Sequence, residues 1–304
     1  MITLWNAHLG SDHPLQASVL HHAMQAAHKP EWCLVAEAHD QIVGFIWAKA
    51  ALWGQDREAR AHLCAIAVHP DTCNQGIGTT LWNELVKRLQ TAGVRRVRLG
   101  GAAHQLLAGI PQRASLATWR FLRAKGVVLQ GLEHDIHADL TQLPTLAPPE
   151  GYRVWPVTQR DTLAEATRDF VGKAFPGRWH DEVTERLAAG ETVLVLEPSP
   201  PNSDNPPIIG FAYVTLNSNY PAPGLNWRMS LPNDKRVAGL GPIGIDESAR
   251  GQGLGLTFLH ACCQYLRDQG ATDVLIDWTD LVGFYARIGG HVWRTYQRGY
   301  KVLE

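Results

Sequence analysis

The sequence predicts an α/β protein built from two consecutive domains, each a mixed β-sheet flanked by helices. Its 304 residues suffice for about two domains of roughly 100–200 residues each. The apolar fraction of 45% and the charged fraction of 19% are ordinary for globular proteins and argue against extensive disorder. In both halves, apolar strands in hairpins alternate with amphipathic helices, an order that is typical of a mixed sheet covered on both faces.

An internal repeat predicts that the two domains share one fold. Residues 65–89 and 241–266 both contain an apolar strand, a short turn, a glycine-rich loop and an amphipathic helix. Two glycines of the first copy, Gly76 and Gly78, recur 177 residues later (253 − 76 and 255 − 78). A pattern that occurs twice in matching contexts indicates a duplicated domain.

A Pro-rich, aperiodic stretch marks the boundary between the two copies. It reads LTQLPTLAPPEG from Leu140 onward, and such segments form neither helices nor strands. We therefore predict an N-terminal domain over 1–140, a linker over 141–150 and a C-terminal domain over 151–304. Near the start of the first domain, the apolar spacing predicts a helix from His13 to Ala27.

The composition also bears on partners and location. The chain has 28 basic and 29 acidic residues, a formal charge of −1, so it lacks the broad field that gathers nucleic acid or anionic lipid. No apolar run reaches the roughly 18 residues of a membrane span. The first residues lack a signal-peptide pattern, and the five cysteines lack zinc spacing, which predicts a cytoplasmic protein. His134 and His137 would point to opposite faces of a strand, so no metal site is predicted.

The segment Arg250–Gly255 is the most informative part of the chain. It follows an apolar strand, contains three glycines and opens a helix. Glycine lets the backbone approach a ligand, and the free N–H groups and dipole of a helix N-terminus attract an anion such as a pyrophosphate. The spacing fits neither a P-loop nor a dinucleotide fingerprint. A turn that only caps the helix is the alternative, and the second copy of the motif weighs against it.

Two motifs resemble the GNAT superfamily of acyl-CoA N-acyltransferases. The pattern R-x-x-G-x-G at 250–255 resembles its first motif, and F-Y-x-x-x-G at 284–289 resembles its second. With the order of strands and helices, the resemblance covers nearly the whole chain, twice. It implies an acyltransferase in which a primary amine attacks the thioester of acetyl-CoA directly in a ternary complex. The cofactor would lie where two central parallel strands, here Val237–Ile245 and Asp273–Asp277, splay apart.

The resemblance also implies which residues contact acetyl-CoA. In the second domain these are Ile243, Gly244, Ile245, Arg250, Gly251, Gln252, Gly253, Leu254 and Gly255. The matching positions of the first domain are Ile66, Val68, Asn74, Gln75, Gly76, Ile77 and Gly78. Tyr285 falls where the family often keeps a tyrosine that protonates the leaving thiolate, a role that suits a hydroxyl with a pKa of about 10. Its alternative is an aromatic core residue. Trp278 stands near the place of the usual asparagine of the second motif.

The general base and the acceptor pocket follow from nearby residues. The strand before the loop carries no carboxylate, so Asp277 and Asp280 at the end of the next strand are the candidates for the base, and a strand-end cap is the alternative for Asp277. Asp280 is a candidate for binding the amine. Aromatic walls of the acceptor pocket are expected from three residues whose alternative is ordinary loop anchoring: Trp179, Tyr220 and Trp227. His260, in the middle of a helix, is expected to face solvent.

The first copy lacks the groups that carry the chemistry. Cys73 replaces the loop arginine, Leu122 replaces the tyrosine, and 14 extra residues lie between the two motifs, around residues 102–115. We therefore expect catalysis in the C-terminal domain. The extra residues would cover a cofactor groove or pack against the other domain.

These observations lead to one functional expectation and one alternative from a different class. The expected function is acetyl transfer from acetyl-CoA to the primary amine of a small molecule, with an amino sugar as a lead, by a monomer or homodimer. The alternative is a non-catalytic module that senses acetyl-CoA. The intact Arg250 and Tyr285 favour the enzyme, whereas the missing strand carboxylate favours the sensor.

Overall fold

A computed structural model describes residues 1–104, 106–199, 207–216 and 225–303. By its internal contacts the chain divides into two compact units. Unit 1 comprises Met1–His134, Asn226–Ser230 and Arg294–Glu304, and unit 2 comprises Asp135–Leu225 and Leu231–Trp293. None of the helices that the described residues form is long and apolar enough to cross a membrane.

Unit 1 is a mixed sheet with helices packed against it. Its elements in chain order are α1 (Ile2–Leu9), α2 (Ala17–Gln25), β1 (His28–Ala38), β2 (Gln41–Ala50), β3 (Arg60–Val68), α3 (Ile77–Thr91), β4 (Arg96–Leu99), β5 (Ile110–Pro111), α4 (Leu116–Ala124) and the first part of β6 (Val128–Asp139). β1, β2 and β3 pair antiparallel, and β3 pairs parallel with β4. Apolar side chains of α3 and the strands form the core, among them Ile46, Leu63, Leu85 and Leu89.

The predicted helix from His13 to Ala27 is wrong in its first part. Only α2 lies in this stretch, and the segment between α1 and α2 is held in place by Asn6 of α1. The Asn6 side chain accepts a hydrogen bond from the Leu15 N–H at 2.8 Å and donates one to the Leu15 carbonyl at 3.1 Å. Pro14 also disfavours a helical conformation of the residue before it. The helix therefore begins only at Ala17.

Unit 2 repeats this architecture. Its elements are the end of β6, then β7 (Tyr152–Val157), α5 (Leu163–Ala174), α6 (Arg178–Ala188), β8 (Thr192–Pro198), β9 (Gly210–Leu216), β10 (Val237–Ile245), α7 (Leu254–Asp268), β11 (Asp273–Thr279), α8 (Val282–Tyr285) and the start of β12 (His291–Val302). β7 to β10 pair antiparallel in sequence order, and β10 pairs parallel with β11. The core is formed by the buried face of α7 and the strands, including Leu240, Phe258 and Val274. The predicted mixed α/β fold with two tandem repeats is confirmed.

In each unit, the strand beyond the parallel pair comes from the other half of the sequence. In unit 1, Gly299–Val302 of β12 pair antiparallel with β4. In unit 2, the end of β6 neighbours β11. Because of this exchange, the units are not the contiguous blocks 1–140 and 151–304, and residues 141–150 belong to unit 2.

His260 does not face solvent, contrary to the prediction. It is buried, and its Nε2 forms a hydrogen bond with the Pro144 carbonyl at 2.6 Å.

The repeat is retained at the level of single residues. The bounds of β3 and α3 reappear 177 residues later as those of β10 and α7, and β11 begins 177 residues after β4. The loops before the two helices also match. Gly76 and Gly253 have φ of 84° and 78°, and Asn74 and Gly251 have φ of 63° and 79°. Asparagine is one of the few residues besides glycine that adopts this left-handed conformation, so the loop keeps its shape in unit 1.

Candidate active site

The candidate site of unit 2 lies where two parallel strands separate. The last paired residues of β10 and β11 are Gly239 and Leu275, although β10 continues to Ile245 and β11 to Thr279. We call the gap between the two strand ends the unit 2 fork. This separation corresponds to the splayed strand pair that the resemblance implies. The residues expected to line the pantetheine arm follow one side of this fork and are partly exposed: Ile243, Gly244 and Ile245.

The glycine-rich loop follows β10 directly and leads into α7. The left-handed conformation of Gly251 and Gly253 is one that glycine adopts without strain. A Cβ added at either position would meet no atom of the described residues within 4 Å, so the loop presents an open face. Arg250 is exposed, and its Nε donates to the Ile245 carbonyl at 3.2 Å, which holds the guanidinium beside the loop. The first-turn N–H groups and the dipole of α7 suit this face to a diphosphate.

Tyr285 lies at the end of α8, close to this loop. Its ring is buried and packs edge-on against Phe284 at a centroid distance of 5.1 Å. The Phe284 ring in turn lies 3.8 Å from the position of a Cβ on Gly255. Burial, followed by the neighbouring Asp277 and Cys263, raises the pKa of the Tyr285 hydroxyl above its usual value. The hydroxyl therefore carries its proton at neutral pH.

Asp277 places a carboxylate at the fork. Its Oδ1 lies 3.9 Å from the Cβ position of Gly241 on β10, just beyond the last paired residues. Burial raises the pKa of this carboxyl to about 7, and the nearby Asp135 and Glu182 add to the rise, whereas Arg178 opposes it. A group with a pKa near neutrality can both accept and release a proton at physiological pH.

Three further residues surround Asp277 that the sequence analysis does not single out. Arg178 of α6 lies over the Trp278 ring, 5.6 Å from its centroid, and 3.8 Å from the Glu182 carboxylate. On the other side, the Trp278 N–H donates to Asp135 Oδ1 at 3.4 Å. Trp278 itself has a φ of 56°, an unusual conformation for a bulky residue that often marks a functional site. Together these residues form a charged rim around the Asp277 carboxylate.

Unit 1 keeps the backbone of the site and loses its side chains. Gly76 caps α3 as Gly253 caps α7, and the ring of Phe121 lies 3.6 Å from a Cβ position on Gly78. Cys73 is exposed in the place of Arg250. The remaining residues predicted to contact acetyl-CoA lie on β3, on the loop or at the start of α3: Ile66, Val68, Asn74, Gln75 and Ile77.

Comparison with known proteins assigns the family. The profile of the Acetyltransferase (GNAT) family matches residues 3–108 and again residues 161–289. The chain belongs to the GNAT family. The two matches agree with the two copies of the motif, and the GNAT relationship predicted from 250–255 and 284–289 is confirmed. A search of curated proteins finds no match.

Solved GNAT structures share the tandem architecture. The GCN5-related glucosamine N-acetyltransferase region of a fungal multi-domain GH3 β-N-acetylglucosaminidase superposes with a TM-score of 0.82 at 21% identity, over 99% of this chain and 36% of that chain. This chain thus spans about a third of that protein. A GCN5-related N-acetyltransferase from Sphaerobacter thermophilus gives 0.71 at 17% identity over 100% and 91% of the two chains. A tandem GNAT protein of the clavulanic acid biosynthesis pathway gives 0.64 at 14% over 100% and 95%. These similarities establish the fold.

The predicted acceptor residues of this GNAT protein do not form one group. Trp179 of α6 packs against Phe175 at 5.2 Å between ring centroids, and Phe175 lies so close to β10 that a Cβ on Gly244 would be 2.6 Å from its ring. Trp227 is buried in unit 1, stacked on Trp5 at 6.2 Å, which leaves its ring little surface for a substrate. Tyr220 lies outside the described residues. Asp280 is exposed next to the end of β11.

The sequence offers little signal for the charged rim of the GNAT site. Arg178 and Glu182 are one turn apart on a helix about 100 residues before Asp277, where such a pair usually indicates a solvated face. Asp135 belongs to the exchanged part of β6, which lies within the predicted first domain. Its place beside Trp278 depends on the strand exchange, and no local pattern reveals that exchange.

Proposed function

We propose that the protein is an acetyl-CoA-dependent N-acetyltransferase and that its catalytic centre is the fork of unit 2. The observation that carries the proposal is the convergence of Asp277, Tyr285 and an open glycine-rich loop at one splayed strand pair. Unit 1 has the same loop but neither the carboxylate nor the hydroxyl. The acceptor is the primary amine of a small molecule. The amine and the acetyl thioester that it attacks are held together in one ternary complex. Its cytoplasmic location and its state as monomer or homodimer stay predictions.

The residues of unit 2 fit acetyl-CoA at both ends of the molecule. The loop from Arg250 to Gly253 offers an open, electropositive face for the diphosphate, because any side chain at its left-handed glycines would fill that face. The edge of β10 along Ile243–Ile245 offers backbone groups to the amide-bearing arm. When bound, acetyl-CoA supplies an acetyl thioester. The chain supplies the positioning and the proton transfers.

Asp277 is the proposed general base. An amine is mostly protonated at neutral pH, and it must lose a proton before it can attack a carbonyl. The Asp277 carboxylate lies beside Gly241 at the fork, and its raised pKa of about 7 makes it a better proton acceptor than an ordinary aspartate. The charge of Arg178 keeps part of the population ionised.

Tyr285 is the proposed general acid. Its hydroxyl is protonated at neutral pH, and its ring is fixed by Phe284 beside the start of α7. Burial raises the pKa of this hydroxyl and makes it a weaker acid than a free tyrosine. A thiolate that departs toward the loop would therefore take the proton through a direct hydrogen bond, and the phenolate would recover one from solvent. The Asp277 carboxylate contributes to the raised pKa of Tyr285, which is consistent with a base and an acid that lie near each other at the fork. Leu122 cannot perform this step in unit 1.

An amino sugar is the leading acceptor. Support comes from the glucosamine N-acetyltransferase region whose fold this chain shares, and from the aromatic and acidic residues near the fork, since sugars stack on aromatic rings and an amine pairs with a carboxylate. Phe175, Trp179 and Trp278 offer such rings, and Glu182 and Asp280 offer further carboxylates.

A thiol-release assay tests the proposal. Purified protein with acetyl-CoA is supplied with glucosamine, with a polyamine, with an aminoglycoside and with no amine, and free thiol is followed over time. Amine-dependent release with one class preferred supports the enzyme. Tight binding of acetyl-CoA without thiol release above the no-amine control would instead support the sensor. The sensor is the second candidate, and the degenerate copy in unit 1 supports it.

A further inference from the structure

The extra residues of unit 1 lie where the reacting groups of unit 2 lie. Residues 102–115 are the 14-residue insert between the two motifs, of which Gln105 lies outside the described residues. The offset of 177 aligns Gly100 with Asp277 and Gly101 with Trp278. Gly101 has a φ of 75°, so the chain turns at the same place in both units. In unit 2 it then enters α8, whereas in unit 1 it enters the insert.

The insert backbone fills the space that corresponds to the Asp277 side chain. A Cβ on Gly100 would lie 2.6 Å from both the Leu107 carbonyl oxygen and the Gly109 nitrogen. These are main-chain atoms, so they cannot swing aside as a flexible side chain would. The Gly101 N–H also donates to the Leu107 carbonyl at 3.1 Å. The turn of the insert is therefore closed onto the end of β4.

The first part of the insert, residues 102–110, is largely buried. Six of its side chains are buried: Ala102, Ala103, Leu106, Leu107, Ala108 and Ile110. Leu106 borders a narrow apolar gap together with Phe45, Trp47 and Ala65. Ala65 lies on β3 beyond its last paired residue, Leu63, at the position that Pro242 has in unit 2. Leu106 thus packs beside the β3 edge of the unit 1 fork, by which we mean the space between the ends of β3 and β4. Trp5 of α1 and Leu20 of α2 border the same apolar gap.

Lys49 fastens the insert from the side of β2. Its side chain is fully buried, and its Nζ donates to the Ala103 carbonyl of the insert and to the Ala23 carbonyl of α2. Two carbonyl oxygens accept hydrogen bonds from this amino group, and burial lowers its pKa. At the far end of the insert, β5 pairs with Tyr296 and Gln297 of β12. The insert is held at both ends and in the middle.

We infer that the insert permanently occupies the unit 1 fork. It lies where the thioester and the acceptor would have to bind, so unit 1 cannot perform acyl transfer. This closure is independent of Cys73 and Leu122, since restoring arginine and tyrosine there would leave the fork filled. The inference rests on the proposed function only in that it takes the unit 2 fork as the place of transfer.

A matched pair of glycine substitutions tests the filling. Gly100 and Gly101 have φ of 73° and 75°, so alanine costs the same backbone strain at each. A Cβ on Gly101 would approach only the end of the Arg98 side chain, at 3.1 Å, which can move. We expect Gly100→Ala to lower the melting temperature by at least about 5 °C more than Gly101→Ala. Equal melting temperatures would overturn the inference, because an open fork tolerates a side chain at 100.

Hydrogen exchange of the wild-type chain and of Lys49→Met provides a second readout. Peptides covering 101–111 should exchange as slowly as core strands, and acetyl-CoA at saturation should leave them unchanged. Lys49→Met leaves two buried carbonyls without their hydrogen-bond donor. It should speed amide exchange of the 101–111 peptides at least about tenfold, whereas the surface control Lys125→Met should not. Fast exchange in the wild type, or a response of 101–111 to acetyl-CoA, would identify the insert as a movable lid and overturn the inference.

The same experiment separates this inference from the proposed function. Peptides covering 250–256 report binding of acetyl-CoA in unit 2. If they do not respond, the proposed function fails, while the intrinsic protection of 101–111 and the two glycine variants still decide whether the fork of unit 1 is filled.

Discussion

The two units share a loop and a helix but differ in every group that acts on a proton. The loop glycines Gly76 and Gly253 cap helices of 15 residues each with nearly the same φ. The polar positions of unit 2 are replaced in unit 1: Arg250 by Cys73, Asp277 by Gly100, and Tyr285 by Leu122. In both units the backbone caps a helix and contributes to a core. The polar groups that differ have no such structural role.

Position 285 and its counterpart show how packing and chemistry separate. Tyr285 and Leu122 are both buried, at 6% and 3% exposure, and both follow a phenylalanine that packs near the second loop glycine. Leucine fills the core and removes the hydroxyl. A GNAT unit can therefore lose its acid without losing its fold, and this is why the motif glycines alone do not identify the active copy.

The largest expected effect is that of Tyr285→Phe. The ring still packs on Phe284, so stability and acetyl-CoA binding should persist, while turnover falls about 1,000-fold because the leaving thiolate has no acid. The matched change in unit 1, Leu122→Met, conserves volume and should leave turnover unchanged. Steady-state kinetics with calorimetric binding measures both. Wild-type turnover in Tyr285→Phe would remove the hydroxyl from the mechanism.

Asp277→Asn is expected to cost about 100-fold in turnover at neutral pH. The loss is smaller because the fraction of amine that is already unprotonated can attack without a base. In the wild type, the rate should rise with pH through about 7, where Asp277 ionises. The variant should lack this limb and follow the amine alone. A limb near 7 that survives in Asp277→Asn would assign the titration to another group.

Acidification should affect the two units in opposite directions. Burial, with Arg294 nearby, lowers the pKa of His13 to about 3, and burial lowers that of His62 to about 4. Because the unfolded chain binds these protons near pH 6.5, unit 1 loses stability as pH falls from there, by about 2 kcal/mol per histidine at pH 5. Asp277 has the reverse sign. The pKa of Asp277 in the folded chain lies above its value in the unfolded chain, so protonation of Asp277 stabilises unit 2 as pH falls from about 7 toward 4.

Exchange rates of α3 and α7 peptides at pH 7 and pH 5, corrected for intrinsic rates, measure this difference. We expect faster opening of α3 and no faster opening of α7. His62→Gln should reduce the acid sensitivity of α3 and leave α7 unchanged. Equal changes in both helices would contradict the assignment of the titrating groups.

The sequence contains the repeat but not the exchange of strands. Strict conservation of the 177-residue offset makes β10, α7 and the loop predictable, because strand, turn and helix cap are local patterns. The place of β12 beside β4 and of Asp135 beside Trp278 depends on which distant strand pairs with which. The alternation of apolar residues within β6 and β12 is the same whether or not these strands are exchanged, so it does not reveal the exchange. The domain boundaries at 140 and 150 therefore follow a Pro-rich segment rather than the contacts.

The site was predictable to the same extent. Tyr285 and the loop belong to motifs of contiguous residues, and Asp277 follows from its place at a strand end. Arg178 and Glu182 come from α6, and only tertiary structure brings them to Asp277. Trp227 is aromatic and belongs to the long segment between β9 and β10, as a substrate wall would, but its ring packs against Trp5 and His13. Residue type and position along the chain do not distinguish these cases.

The central claim is that unit 2 alone holds acetyl-CoA for transfer, and calorimetric titration of the chain with acetyl-CoA tests it most directly. Gly76 and Gly253 have matched φ and open surroundings, so glutamate at either costs similar strain and places a like charge at the diphosphate face. We predict that Gly253→Glu loses an acetyl-CoA site in the titration and all amine-dependent thiol release with it, whereas Gly76→Glu retains that site and wild-type thiol release. Turnover that survives in Gly253→Glu, or that is lost in Gly76→Glu, would contradict the claim.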